Sequence, residues 1–296
     1  MGRGAGGHSH DRRRRGRPHR HHAIPGSVAP ARHRAVDELG QLLEEVGISR
    51  PATRWMIVAA HPDDEVIGAA FILRRARDLH VLHVTDGAPR DDALWSPRAP
   101  SSRSAYATLR SKESRAALAL AGVPEDRIVC LGVADQQAAF SLVELTDRIR
   151  MAMEALEPDV VVVHAYEGGH PDHDAAAFAV HHAARWLAPR RPALLEMTSY
   201  HRRDGALRRG EFLPDPCPVA ERSVVADGKR ALIACFESQA EVLAGFDVER
   251  ERYRRAPTYD FRVPPHEPPL HYETLGWPMT AQRFCALATA AGAQPC

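Results

Sequence analysis

No stretch of the chain approaches the roughly 18 consecutive apolar residues that a membrane span needs. The N-terminus has arginines and histidines but no apolar run after them, so neither a membrane anchor nor secretion is expected. Cysteine is scarce. Cys130, Cys217, Cys235, Cys285 and Cys296 are widely spaced, odd in number and form no C-x-x-C pair. That spacing excludes a disulfide framework and a thiolate zinc site, and reduced cysteines in a cytoplasmic protein are the expectation. A G-x-G-x-x-G is also missing. Only Gly68 follows the first strand-like segment in "HPDDEVIG", which speaks against a dinucleotide-binding module.

What is present is enough for a packed core, since 44% of the 296 residues are hydrophobic. The net charge of +1 hides an asymmetry: residues 1–33 hold eight Arg and one Asp, a balance of +7, so the remainder carries −6. This Gly/Arg/His/Pro-rich tail has almost nothing to bury and is expected to be disordered. No aromatic residue interleaves its arginines to stack bases, so no nucleic-acid partner is expected and its histidines are given no role. A tail-led metal-binding or nucleic-acid-binding protein would lose function on deletion of residues 1–33, whereas a hydrolase would keep its turnover. Residues 34–296 are read as one domain.

From about Ala35 the pattern is regular. "AVDELGQLLEEVGI" has helical spacing, and "WMIVAA" is a continuous apolar run suited to a buried strand. A helix over "VIGAAFILRRARDL", a strand over "HVLHVTDG", and a helix ending at Gly122 follow. Next come a strand in "RIVCLGVAD", a helix stopped before Pro158, a Val-rich strand with a glycine loop, and another helix. This alternation predicts an α/β fold with a mostly parallel sheet, helices on both faces, and functional loops at the carboxyl ends of the strands. Beyond "ALLEMTSYH", residues 201–225 read as a loop or hairpin insertion and "DGKRALIACFESQAEVLAGF" as one helix. The Pro-rich stretch 256–278 reads as an ordered surface loop.

Two unusual clusters each follow a predicted buried strand and precede a helix: "HPDDE" after "WMIVAA", and "GGHPDHD" after "VVVVHAY". Parallel topology would bring both loops to one edge of the sheet. Imidazole and carboxylate together suit zinc, and a catalytic zinc site uses three protein ligands. His61 and Asp64 lie three apart on a Pro-containing turn, and His173 is the best third ligand. Asp63, beside Asp64 but pointing elsewhere, is the candidate general base. His170 is the candidate donor to an oxyanion and acid for a leaving amine, and Asp172 a partner that orients one of the histidines. The bland alternatives are a helix N-cap for the acids and surface sequence for H-x-x-H.

"AAHPDDE" followed by "GGHPDHDAA" resembles the zinc-dependent N-acetylglucosaminyl deacetylase family, also called PIG-L or LmbE-like, over most of residues 52–245. The resemblance implies a Rossmann-like α/β fold, one Zn2+ on His61, Asp64 and His173, Asp63 as base, and His170 as the electrostatic or acid partner. "RSKESRAALALAGV" and "LGVAD" are similar to two further family segments, which implies Arg110 and Asp135 as substrate contacts. The structural alternatives are a helix-surface salt bridge for Arg110 and a helix N-cap for Asp135. Gly168 stands where some thiol-sugar members have a tyrosine, with Tyr166 two positions earlier. His80, His83, His181 and His182 read as packed or solvated, and His201 as a turn residue. His266, Tyr272 and Trp277 are candidates to stack on a sugar ring.

The expected function is therefore metal-dependent removal of an N-acetyl or similar N-acyl group from an amino sugar or glycoconjugate. An amidase acting on a larger amide, in a thiol conjugate or specialised metabolite, is the alternative. A homo-oligomer is compatible with either.

Overall fold

The computed structural model describes residues 1–2, 39–44 and 53–293. Apart from its first two residues, the basic tail lies outside the described residues, as does most of the first helical segment, of which residues 39–44 are helical. Among the described residues no helix is long and apolar enough to cross a membrane.

A seven-stranded sheet has the order β3-β2-β1-β4-β5-β9-β8. β1 (Arg54–Ala59), β2 (Asp78–Pro89), β3 (Ile128–Asp135), β4 (Val160–His164) and β5 (Ala193–Met197) are parallel. β9 (Arg250–Arg255) runs antiparallel to β5, and β8 (Val219–Ser223) antiparallel to β9. Strand alternation explains the two-sided core. On β1, Trp55, Ile57 and Ala59 enter one apolar cluster, while Met56 and Val58 enter the other. The first cluster includes Val66, Phe71 and Ile72 of α1 (Asp64–Leu73) and Ala117 and Leu118 of α2 (Arg103–Ala121). The second holds Leu145, Ile149 and Met153 of α3 (Leu142–Leu156) and Ala176, Ala179 and Val180 of α4 (Pro171–Trp186).

Helix limits follow local chemistry. Ser102 Oγ accepts from the Ala105 amide at the start of α2, and Gly122 closes that helix at φ 89°, as expected from the sequence. α4 begins with Pro171 at its first turn.

The C-terminal third departs from expectation. The stretch 201–225 contains a hairpin, β6 (Tyr200–Arg203) with β7 (Ala206–Arg209), but also β8 of the main sheet. The helix expected over 227–246 is broken into α5 (Ala226–Ile233), a short 3-10 turn and α6 (Ala240–Leu243). The break occurs where Glu113 accepts from the Ser238 amide at 2.7 Å and its hydroxyl at 2.6 Å, a tertiary contact that overrides helical periodicity. α1 also stops earlier than its apolar pattern implied, because Asp78 already belongs to β2. The expected surface loop 256–278 contains only α7 (His271–Thr274), and α8 (Ala281–Gly292) returns Phe284 and Ala288 to the core beside α4.

Candidate active site

The carboxyl ends of β1, β3 and β4 and the turn after β5 converge on a cavity of about 380 Å3. His61, Asp63, Asp64, Arg110, Asp135, His170 and His173 all line it. Asp172 lies just behind, fully buried.

The "HPDDE" turn is held from several sides. The His61 amide donates to Asp64 Oδ2 at 2.7 Å, and His61 Nδ1 lies 3.1 Å from the same oxygen. Asp63 has φ 141°, a backbone conformation that L-residues rarely adopt, and its amide donates to Glu65 Oε2 at 3.1 Å. Glu65 Oε2 in turn lies 3.0 Å from His83 Nε2, so the packed histidine of β2 buttresses the turn from beneath. Arg110, 2% exposed, donates to the Pro62 carbonyl at 2.7 Å and to Asp63 Oδ2 at 2.9 Å. It is therefore not a helix-surface salt bridge. Its Nε and Nη1 are buried without a partner. Burial, opposed by the Arg110 charge, pushes the Asp63 carboxyl up to about 7.

The "GGHPDHD" loop completes the floor. Asp174 accepts from the Glu167 and Gly168 amides at 3.3 and 3.1 Å and so fastens the glycine turn. A Cβ on Gly169 would sit 1.8 Å from the Tyr200 carbonyl oxygen, so only glycine lets that backbone approach. His170 Nδ1 accepts from the Asp172 amide at 3.1 Å, which leaves Nε2 to carry the ring proton, 3.7 Å from Asp135 Oδ1. Burial holds His170 well below the ordinary imidazole value, with His61 adding to the effect.

Asp172 takes two backbone amides, from Gln136 at 2.6 Å and Ala138 at 3.0 Å, and its Oδ2 lies 3.3 Å from His61 Nε2. Asp135 does not cap a helix. Its Oδ1 faces His61 Nε2 at 3.2 Å. Burial opposes protonation of His61, but Asp135 outweighs it and, with Asp172 and Asp64, draws the imidazole well above its ordinary value.

Asp64 Oδ1 lies 3.2 Å from His173 Nε2, and Ser199 Oγ lies 3.2 Å from His173 Nδ1. A hydroxyl on one ring nitrogen leaves the other directed at the carboxylate, the arrangement of an oriented metal ligand. Burial takes His173 down to about 3, against the attraction of Asp64. Donor atoms crowd within 4.8 Å of one another in three overlapping groups: His61–His170–His173, His61–Asp135–His170–Asp172 and Asp64–His164–His173. So many buried imidazoles and carboxylates facing one point fit a divalent cation of zinc type.

Two residues here escaped the reading of the sequence. His164 ends β4, accepts from the Ala60 amide at 3.0 Å and stacks on His173 with ring centroids 3.9 Å apart. A histidine closing a valine run was its only signal. Tyr200 lines the cavity with its ring 5.4 Å from His173, whereas Tyr166 is turned away and donates to the Val263 carbonyl at 3.0 Å. Of the stacking candidates, Trp277 lines the cavity 4.9 Å from the His170 ring. Tyr272 is buried in the core and His266 lies against a separate surface hollow. His201 is buried and faces Glu167 at 3.5 Å.

Fold and site together define a mostly parallel α/β protein with a histidine–carboxylate centre at its ligand-binding edge. Residues 56–184 match the sequence profile of PIG-L, GlcNAc-PI de-N-acetylase, and the chain carries a PIG-L family domain over that stretch. Among solved structures, a triple mutant of the deacetylase Orf2 of the teicoplanin biosynthetic pathway aligns at TM-score 0.52. Identity is 21%, covering 70% of this chain and 100% of that one. The A40926 pseudoaglycone deacetylase Dbv21 aligns at TM-score 0.52 and 20% identity, over 70% of this chain and 98% of that one. At such identities the likeness establishes a shared fold. No curated protein sequence matches.

Proposed function

We propose that this protein is a metal-dependent hydrolase that removes an N-acetyl or similar N-acyl group from an amino-sugar-containing substrate. The observation that carries the reading is the buried Asp63–Arg110 pair, 2.9 Å apart, beside the converging donors of His61, Asp64 and His173 in one open cavity. The PIG-L domain over residues 56–184 and the deacetylase neighbours agree with it.

His61, Asp64 and His173 would hold the ion, zinc by the chemistry of the set. Such an ion supplies Lewis acidity, acidifying a water and polarising an acyl oxygen. The protein's own groups do the rest. Asp63, held by Arg110 and facing the cavity, takes the proton from the attacking water and delivers it to the departing amine. His170, neutral and protonated on Nε2, donates a hydrogen bond to the acyl oxygen as negative charge develops there. Asp172 braces the loop of Gln136 and Ala138 and orients His61. Asp135, and the unpartnered Nε and Nη1 of Arg110, offer an acceptor and donors to sugar hydroxyls. The products are a free amine and a carboxylate.

The test is elemental analysis of the purified chain together with acetate release from N-acetylglucosamine derivatives. Close to one zinc per chain, with turnover that is lost in Asp63→Asn while metal is retained, is the expected result. A metal-free wild type, or turnover undiminished in Asp63→Asn, would overturn the reading.

A further inference from the structure

The cavity is divided. Its floor is charged and polar, but the facing wall and mouth are aliphatic and aromatic: Leu94 after β2, Leu207 of β7, Val242 of α6, Phe246 and Leu275. Leu94, Val242 and Leu275 come from three distant segments and are 38, 58 and 48% exposed. Single exposed aliphatic residues need no explanation, but three gathered around one opening, continuous with Leu207 and Phe246, form an apolar patch over a charged floor. Hydrolysis of a small, fully polar amide would use the floor alone. It would leave the wall and mouth wet.

We infer that the substrate is amphiphilic: an N-acyl amino sugar whose hydroxyls meet the floor and which also carries an alkyl or aryl group that covers Leu94, Leu207, Val242, Phe246 and Leu275. This rests on the hydrolase reading and narrows its substrate class. The apolar group has two chemical sources, an aglycone on the anomeric carbon or a longer acyl chain on the nitrogen, and both would bury the same surface.

The experiment uses the full chain loaded with zinc and measures amine release from four substrates. These are N-acetylglucosamine, its methyl β-glycoside, its hexyl β-glycoside and N-hexanoylglucosamine. A hexyl-bearing substrate is expected to exceed its short counterpart in kcat/KM by roughly tenfold or more, chiefly through KM, as apolar burial of a few methylenes provides. The arm that gains, glycoside or amide, identifies the source. In the double variant Val242→Ser/Leu275→Ser the ratio of long to short substrate should fall toward one. In Met151→Gln, which alters an exposed residue of α3 that does not line the cavity, the ratio should stay as in the wild type. Equal kcat/KM for long and short substrates, or a ratio unmoved by the double variant, overturns the inference while leaving the hydrolase reading intact. Absence of turnover on all four overturns both.

Discussion

Lys229 Nζ lies 2.7 Å from Glu251 Oε1, and together they splice a broken helix. α1 is interrupted at Ala69, where φ is −140° and ψ 24°. Glu251 receives the freed Ala70 and Phe71 amides at 2.9 and 2.8 Å, and Lys229 donates to the stranded Ile67 carbonyl at 2.6 Å. The break separates the turn bearing Asp64 from the rest of the helix. Lys229 is one of only two lysines in the chain, and it is fully buried.

Removing one member of this pair strands the other charge in the core. Lys229→Met and Glu251→Gln should each cost about 3–5 kcal/mol of stability, and the double variant less than the sum of the two. Urea unfolding of the three variants checks this, and single variants within 1 kcal/mol of wild type would refute it.

Arg110 acts through Asp63, so the two should be coupled kinetically. Arg110→Met is expected to lower kcat on the order of 10²-fold in the wild-type background and far less in Asp63→Asn. The measurement is a double-mutant cycle in kcat/KM with zinc content followed alongside. Additive losses would mean that Arg110 serves the substrate alone.

Gly169→Ala should damage the site from outside the proton-transfer chemistry. Its Cβ would collide with the Tyr200 carbonyl and push away the turn that carries Ser199, the partner of His173. A loss of about 1–3 kcal/mol or more, with weakened zinc binding, is expected. Calorimetry and metal titration would reveal it, and an unchanged Tm would refute the close approach.

His181 gives a pH signature remote from the metal-type donors. Burial, aided by Arg185 and His182, takes its imidazole down to about 4, and Glu196 Oε1 stands 4.0 Å away. Between an unfolded value near 6.5 and about 4, the unfolded chain binds a proton that the folded chain refuses. Stability is therefore full above about 6.5 and falls with pH through that window, by at most about 3 kcal/mol. His181→Gln should flatten the dependence in denaturant titrations between pH 6.5 and 4.

The sequence made the parallel half of the sheet plain because a strand covered on both faces must be apolar throughout, as in "WMIVAA" and "VVVVH". It also placed the two acid and histidine clusters at strand ends, and the structure brings His61, Asp63, Asp64, His170 and His173 into one cavity. β9 was hidden by its composition. "RERYRR" contains no apolar run, and only the fold reveals that Arg254 is buried by donating to Glu196 at 2.6 Å and Glu251 by the helix splice. Tyr200 was illegible for a similar reason, since its place depends on the contact with Gly169, far away in sequence.

The PIG-L domain ends at residue 184, and four of the five side chains of the apolar wall and mouth, Leu207, Val242, Phe246 and Leu275, come later in the chain. Bond cleavage and molecular selectivity are thus written in consecutive stretches of one gene. Mutation in the later stretch can retune which molecules are admitted without disturbing the proton-handling residues. Transplanting the segment after residue 200 between relatives is a direct route to exchanged preferences on a retained reaction.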